Sequence, residues 1–73
     1  MARELAPLKV KIGSRIRGRR TSLHMSQEDL AFKADLSPTY LSQLESGKRN
    51  PSLDALFRLA TALQMELSEI VKT

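Results

Sequence analysis

The 73-residue sequence has no cysteine and no tryptophan, one histidine, one tyrosine, two phenylalanines, three glycines and three prolines. Without cysteine, neither disulfides nor thiolate metal sites can support the fold, which must rest on apolar packing, helix caps and association. His24 stands alone, with no paired carboxylate at ligand spacing, and reads as a turn residue; no metal and no cofactor are expected. No run approaches the ~18 apolar residues of a membrane span, and Met1 to Pro7 lacks the apolar stretch of a signal peptide, so a cytoplasmic protein is expected. There is no nucleophile with a neighbouring base, no glycine-rich phosphate loop and no acid pair in a plausible cleft. A chain of this length holds one modest core and little room for a catalytic cleft, so an enzyme is not expected. The scarcity of glycine and proline, with apolar residues recurring at three and four rather than two, predicts helices throughout and no strand.

What is present is positive charge, unevenly placed. The net charge is +4 and the pI about 10. Seven of the twelve basic residues (Arg3, Lys9, Lys11, Arg15, Arg17, Arg19, Arg20) lie at or before position 20. Residues 21–47 carry one lysine against four acids. Such a segment is either a solvated basic helix or a surface that faces phosphates, and charge alone does not choose.

The apolar pattern divides the chain into an N-terminal arm over 1–7 and one domain over 8–73 built from five helices. The first runs from about Leu8 to Leu23 with Ile12, Ile16 and Leu23 inward. Ser26 caps a second helix from Gln27 to about Ala34, with Asp29 closing a capping box and Met25 stapled to Leu30. Ser37 caps a third, with Pro38 at the first helical position and Leu36 stapled to Leu41; Gly47 suits its left-handed end. Ser52, after Pro51, opens a fourth that buries Leu53, Leu56, Leu59, Ala60 and Leu63. A short fifth covers about 67–72, with Leu67, Ile70 and Val71 inward. The second and third helices are joined through Ala34-Asp35-Leu36, a connection short enough to be a helix-turn-helix.

On a helical wheel the third helix turns Leu41 and Leu44 to one side and Thr39, Ser42 and Gln43 to the other, with Tyr40 at the boundary. That outward face is small, polar and uncharged. Amides and hydroxyls can exchange hydrogen bonds with base edges in a major groove: Gln43 with an adenine edge, Thr39 with a thymine methyl or an acceptor. The wheel alone leaves open whether these residues read bases or are merely tolerated on a surface. Lys48, Arg49 and Asn50 follow in a loop beside the helix, where phosphate contacts would set register; Tyr40 and Gln27, the latter at the open amides of helix two, are placed for the same use.

These segments resemble the Cro and phage-repressor (Xre-type) helix-turn-helix family over about Ile12 to Val71. The resemblance is carried by Ile12-Gly13-Ser14-Arg15-Ile16-Arg17, by Met25 to Ala31, by Leu36-Ser37-Pro38-Thr39-Tyr40-Leu41-Ser42-Gln43-Leu44-Glu45-Ser46-Gly47 with the loop to Leu53, and by Leu59 to Leu63. It implies an all-α, lambda-repressor-like, compact five-helix bundle with a recognition helix over about 38–46. It also implies a phosphate contact at Gln27, base contacts at Pro38, Thr39 and Gln43, and an internal ion pair between Arg20 and Glu45. Where the family has glycine, this chain has His24, Asp35 and Gln64; Asp and His tolerate left-handed backbone better than most side chains, so the turns should survive with some strain.

Members of that family commonly regulate transcription as dimers. The expected partners are accordingly a second copy of the chain and a palindromic double-stranded DNA operator, bound by a stand-alone regulator of repressor or controller type. Phe57, Met65, Ile70 and Val71 are the candidates for the dimer interface. The competing use of such a fold is as a protein-interaction module; it would predict a substituted or acidic recognition face, whereas here the face is uncharged and flanked by Lys48 and Arg49.

Overall fold

A computed structural model describes the backbone of residues 2–72 and the side chains of residues 8–72; Met1 and Thr73, the outer ends of the expected segments 1–7 and 8–73, lie outside the described residues. Five helices follow one another: α1 (Ala2–Ser22), α2 (Gln27–Ala34), α3 (Pro38–Glu45), α4 (Leu53–Leu63) and α5 (Leu67–Val71). Among the described residues there is no strand.

The helix starts follow from local chemistry. Ser26 Oγ accepts from the Asp29 amide at 3.0 Å, and Asp29 Oδ2 accepts from the Ser26 amide at 3.0 Å, which closes the capping box. Those bonds to Ser26 hold the Asp29 carboxyl below its ordinary value of 3.8. Ser37 Oγ accepts from the Tyr40 amide, with Pro38 at the first position where no amide is needed, and Ser52 Oγ accepts from Ala55. Met25 and Leu36 pack on the core from just before their caps.

The helix ends repeat one device. His24, Asp35 and Gln64, the positions without glycine, all have left-handed backbone, with φ of 60°, 57° and 56°. In each case the next amide reaches back to close the last turn: Met25 to Arg20 O at 3.1 Å, Leu36 to Ala31 O at 2.8 Å, and Met65 to Ala60 O at 2.9 Å. Gly47, at φ 75°, ends α3 in the same way through Lys48 to Gln43 O.

Ile12 and Ile16 of α1, Leu30, Ala31 and Ala34 of α2, Leu41 and Leu44 of α3, Leu56, Leu59, Ala60 and Leu63 of α4 and Ile70 of α5 form one core. Each large aliphatic taken fully from water contributes on the order of 1.5–3 kcal/mol. α1 and α3 approach closely at Gly13, where a Cβ would collide with the Leu44 carbonyl oxygen and stand 2.9 Å from that of Glu45.

Two expectations are corrected. α1 begins at Ala2, so residues 2–7 belong to the helix rather than to an arm before it. Ala, Arg, Glu and Leu are strong helix formers, which favours helix on the amino-terminal side of Pro7. Leu53, expected inside, is exposed, because at the first position of α4 it lies beyond the last layer of neighbours.

Candidate nucleic-acid interface

α3 is held from three directions. Leu41 and Leu44 anchor it in the core, the Asp35 turn fixes its angle to α2, and Glu45 at its end is a buried acceptor shared by other helices. Arg20 of α1 donates to Glu45 through Nε at 2.7 Å and Nη2 at 2.9 Å, and through Nη1 to Met25 O at 2.8 Å. The hydrogen bond to Glu45 holds the Arg20 guanidinium still more firmly in its charged form, against the opposing effect of burial. Gln27, first residue of α2, donates from Nε2 to Glu45 Oε1 at 3.0 Å. One carboxylate thus fixes α1, α2 and α3 together and orients the Gln27 amide, which keeps a second N–H at the amino end of α2, where anions are favoured.

With the apolar side buried, Pro38, Thr39 and Ser42 are exposed and Gln43 is partly so. Gln43 Oε1 accepts from Arg49 Nη1 at 2.8 Å. The Arg49 guanidinium lies over the Tyr40 ring, 4.9 Å from its centre, and Tyr40 Oη accepts from the Ser52 amide at 3.2 Å. Tyr40 therefore joins α3 to the start of α4, and its hydroxyl proton is left to donate outward. Lys48, Arg49 and Asn50 are all exposed beside α3. Of the residues expected on bases and those expected on phosphates, Gln43 and Arg49 are thus in contact, with Arg49 stacked on Tyr40.

Two of the basic residues of α1 turn elsewhere. Arg19 Nε donates to Leu63 O at 3.0 Å and its Nη2 to Gln64 O at 3.5 Å; Arg15 Nη1 donates to Ile70 O at 3.0 Å and also to Lys72 O. They satisfy carbonyls left open at the ends of α4 and α5. Sequence reasoning missed these roles, since partners 44 and 55 positions away leave no local trace. Arg58 does the same for the turn between α2 and α3, donating to Asp35 O at 3.2 Å while pairing with Asp54 at 2.9 Å.

Of the four interface candidates, Ile70 is corrected: it is fully buried in the monomer core, at the point where α5 closes on α1, and offers nothing to a second copy. Phe57 is 55% exposed, while Met65 and Val71 are partly buried against the core. Phe32 of α2, which the periodicity did not single out, is 88% exposed. Both phenylalanines of the chain thus stand at the surface of an aliphatic core.

Among the described residues, no group of acidic and histidine side chains could hold a metal ion, and no helix is long and apolar enough to cross a membrane.

Comparison with known proteins agrees with this arrangement. The helix-turn-helix family model matches residues 16–70. The chain is 38% identical over 65 residues to the control protein C.BamHI of Bacillus amyloliquefaciens, covering 88% of this chain and 80% of that one. It is 42% identical over 60 residues to the immunity repressor of Bacillus phage phi105, covering 82% of this chain but only 42% of that longer protein. Among solved structures, the restriction-modification controller protein C.AhdI of Aeromonas hydrophila superposes with a TM-score of 0.82 at 45% identity, covering 85% of this chain and 94% of that one. The P22 c2 repressor, solved in complex with a synthetic operator, superposes with a TM-score of 0.80 at 33% identity, covering 84% and 92%. With its five helices, its second and third joined by a left-handed turn, and these relatives, the chain belongs to the Xre-type helix-turn-helix family of DNA-binding transcriptional regulators, which includes phage repressors and restriction-modification controller proteins.

Proposed function

We propose that this protein acts in the cytoplasm as a homodimeric transcriptional regulator that inserts α3 into the major groove of each half of a palindromic operator. The observation that carries this reading is the outward face of α3: Thr39, Ser42 and Gln43 are neutral hydrogen-bonding groups on a helix whose opposite face is locked in the core. Pro38 stands at the entry of that helix, where it can meet a base pair through its ring. Base edges in the major groove ask for such groups, whereas a surface evolved only for solubility favours Lys and Glu. Lys48, Arg49, Asn50, Tyr40 and Gln27 ring this face and supply phosphate contacts that set register. Two copies are favoured because one module of this size makes few base contacts. Half-exposed Phe57 and the partly buried Met65 and Val71, all in the C-terminal part of the chain, are the candidates to supply apolar surface for the pairing.

The test is selection of random duplex DNA by the purified protein, with sedimentation of the free protein and of its complex. A symmetric site with half-sites about 10 bp apart, or a multiple of that, bound by two copies, is expected. Lys48→Ala should weaken operator and random DNA alike and lower the salt slope by about one counterion. A monomer bound to one unrepeated site would remove the dimer, and absence of any DNA binding at low salt would point to a protein-interaction use of the fold.

A further inference from the structure

We infer that Arg49 is a specificity-determining residue, which turns Gln43 into a reader of guanine rather than of the adenine that a free glutamine would take. The inference rests on the proposed use of α3 as the reading helix. A glutamine recognises adenine with both ends of its amide: Nε2 donates to N7 while Oε1 accepts from the N6 amino group. In this protein one of the two acceptor sites of that oxygen is already taken, because Oε1 accepts the Arg49 Nη1 hydrogen at 2.8 Å.

Arg49 is itself held in place. Its guanidinium stacks on Tyr40, and Tyr40 Oη is tied to the Ser52 amide that opens α4. A cation over an aromatic face at an exposed site is modestly favoured, which biases the guanidinium toward this position beside Gln43. What the linked pair turns outward is therefore a set of donors: the Nε2 hydrogens of Gln43 and the remaining N–H groups of Arg49. An adenine in that place would bring its amino donor to the one remaining lone pair of an oxygen already polarised by a guanidinium, and set that donor beside a positive charge. A guanine presents two acceptors, O6 and N7, which suit adjacent donors and a nearby cation. Gln43 is thus the group that meets the base, and Arg49 decides which face of that amide is available.

The experiment first identifies the base pair that Gln43 faces, as the position in the selected operator whose preference Gln43→Ala relaxes. Binding of two duplexes that differ there only in carrying guanine or adenine is then compared by fluorescence anisotropy. For the unaltered protein, guanine should be preferred about ten- to a hundredfold. Arg49→Ala, in an exposed loop, should fold with unchanged helical content by circular dichroism; it should bind all DNA more weakly and shift the ratio toward adenine. Lys48→Ala should weaken binding and leave the ratio unchanged, which separates orientation of the amide from simple loss of charge. Preference for adenine in the unaltered protein, or an unchanged ratio on Arg49→Ala, would overturn the inference. If Gln43→Ala relaxes no position at all, the reading face itself has been misassigned, a different failure with a different signature.

Discussion

The turn between α2 and α3 and the turn between α4 and α5 are the same piece of backbone used for different ends. Asp35 stands at φ 57°, ψ 48° and Gln64 at φ 56°, ψ 47°. An apolar residue follows each, Leu36 or Met65, packs on the core and sends its amide back to the helix just ended. An arginine from another helix takes a carbonyl at each turn, Arg58 at Asp35 and Arg19 at Gln64. Only what comes next differs. After Asp35, eight residues bury Leu41, Leu44 and Glu45 and leave a polar face to solvent. After Gln64, five residues bury Ile70 and have their final carbonyls covered by Arg15. The turn sets an angle; the side chains of the following helix decide whether it is presented or absorbed.

The comparison predicts that the half containing α2 and α3 is pinned by a buried ion pair and the C-terminal half by weaker contacts. Glu45→Ala leaves Arg20 and Gln27 without their shared buried acceptor and should cost about 3–5 kcal/mol. Arg19→Ala, which frees two carbonyls that water can reach, should cost about 1–2 kcal/mol. Urea denaturation at pH 7 measures both, and equal losses would remove the distinction. In a double-mutant cycle, losing Arg20 and Glu45 together should hurt less than the sum of the single losses.

Gly13 and Gly18 show a similar contrast within one helix. Gly13→Ala places a methyl against the α3 backbone and should destabilise by about 1–3 kcal/mol. Gly18 has open space where a methyl would stand, with no other atom within 4 Å, so Gly18→Ala should gain up to about 1 kcal/mol from helix propensity. Thermal unfolding of the two variants should move in opposite directions, and a loss at Gly18 would mean that its open face is used.

If the two turns are equivalent, glycine should relieve both. Gln64→Gly should stabilise by about 1 kcal/mol by removing the left-handed penalty. Asp35→Gly should gain less, since aspartate tolerates that region better and its carboxylate lies 3.8 Å from Arg58. A larger gain at Asp35 would show that the turn between α2 and α3 is the more strained.

The smallest effect is acid sensitivity at the start of α2. The capping box depresses the Asp29 carboxyl, so its stabilising contribution is complete above the ordinary 3.8 and is lost as the pH falls through the lower folded value. Asp29→Asn should flatten that part of the stability curve below about pH 4, followed by circular dichroism. No change in slope would mean that the box adds nothing measurable.

The sequence by itself determined the features that close within about five residues. Ser26, Ser37 and Ser52 announce helix starts because a hydroxyl and an amide three positions on need no other partner. The left-handed ends at His24, Asp35 and Gln64 were legible only through the resemblance to a family that has glycine at those positions; the aliphatic stripe from Ile12 to Leu63 was legible from the sequence, since burial follows helical period. Part of the surface was legible too: α3 could be seen to keep Thr39, Ser42 and Gln43 on one side. Tertiary structure alone decided the rest, because it depends on which helix lies beside which. Arg15 and Arg19 could have faced solvent or phosphate until α4 and α5 brought open carbonyls to them. Gly13 became indispensable only when α3 crossed at that level, and Ile70 became core rather than interface only when α5 folded back on α1. The link from Ser52 through Tyr40 and Arg49 to Gln43 spans separate elements, so wheel and spacing could offer Gln43 as a reader without showing that Arg49 would donate to its amide oxygen.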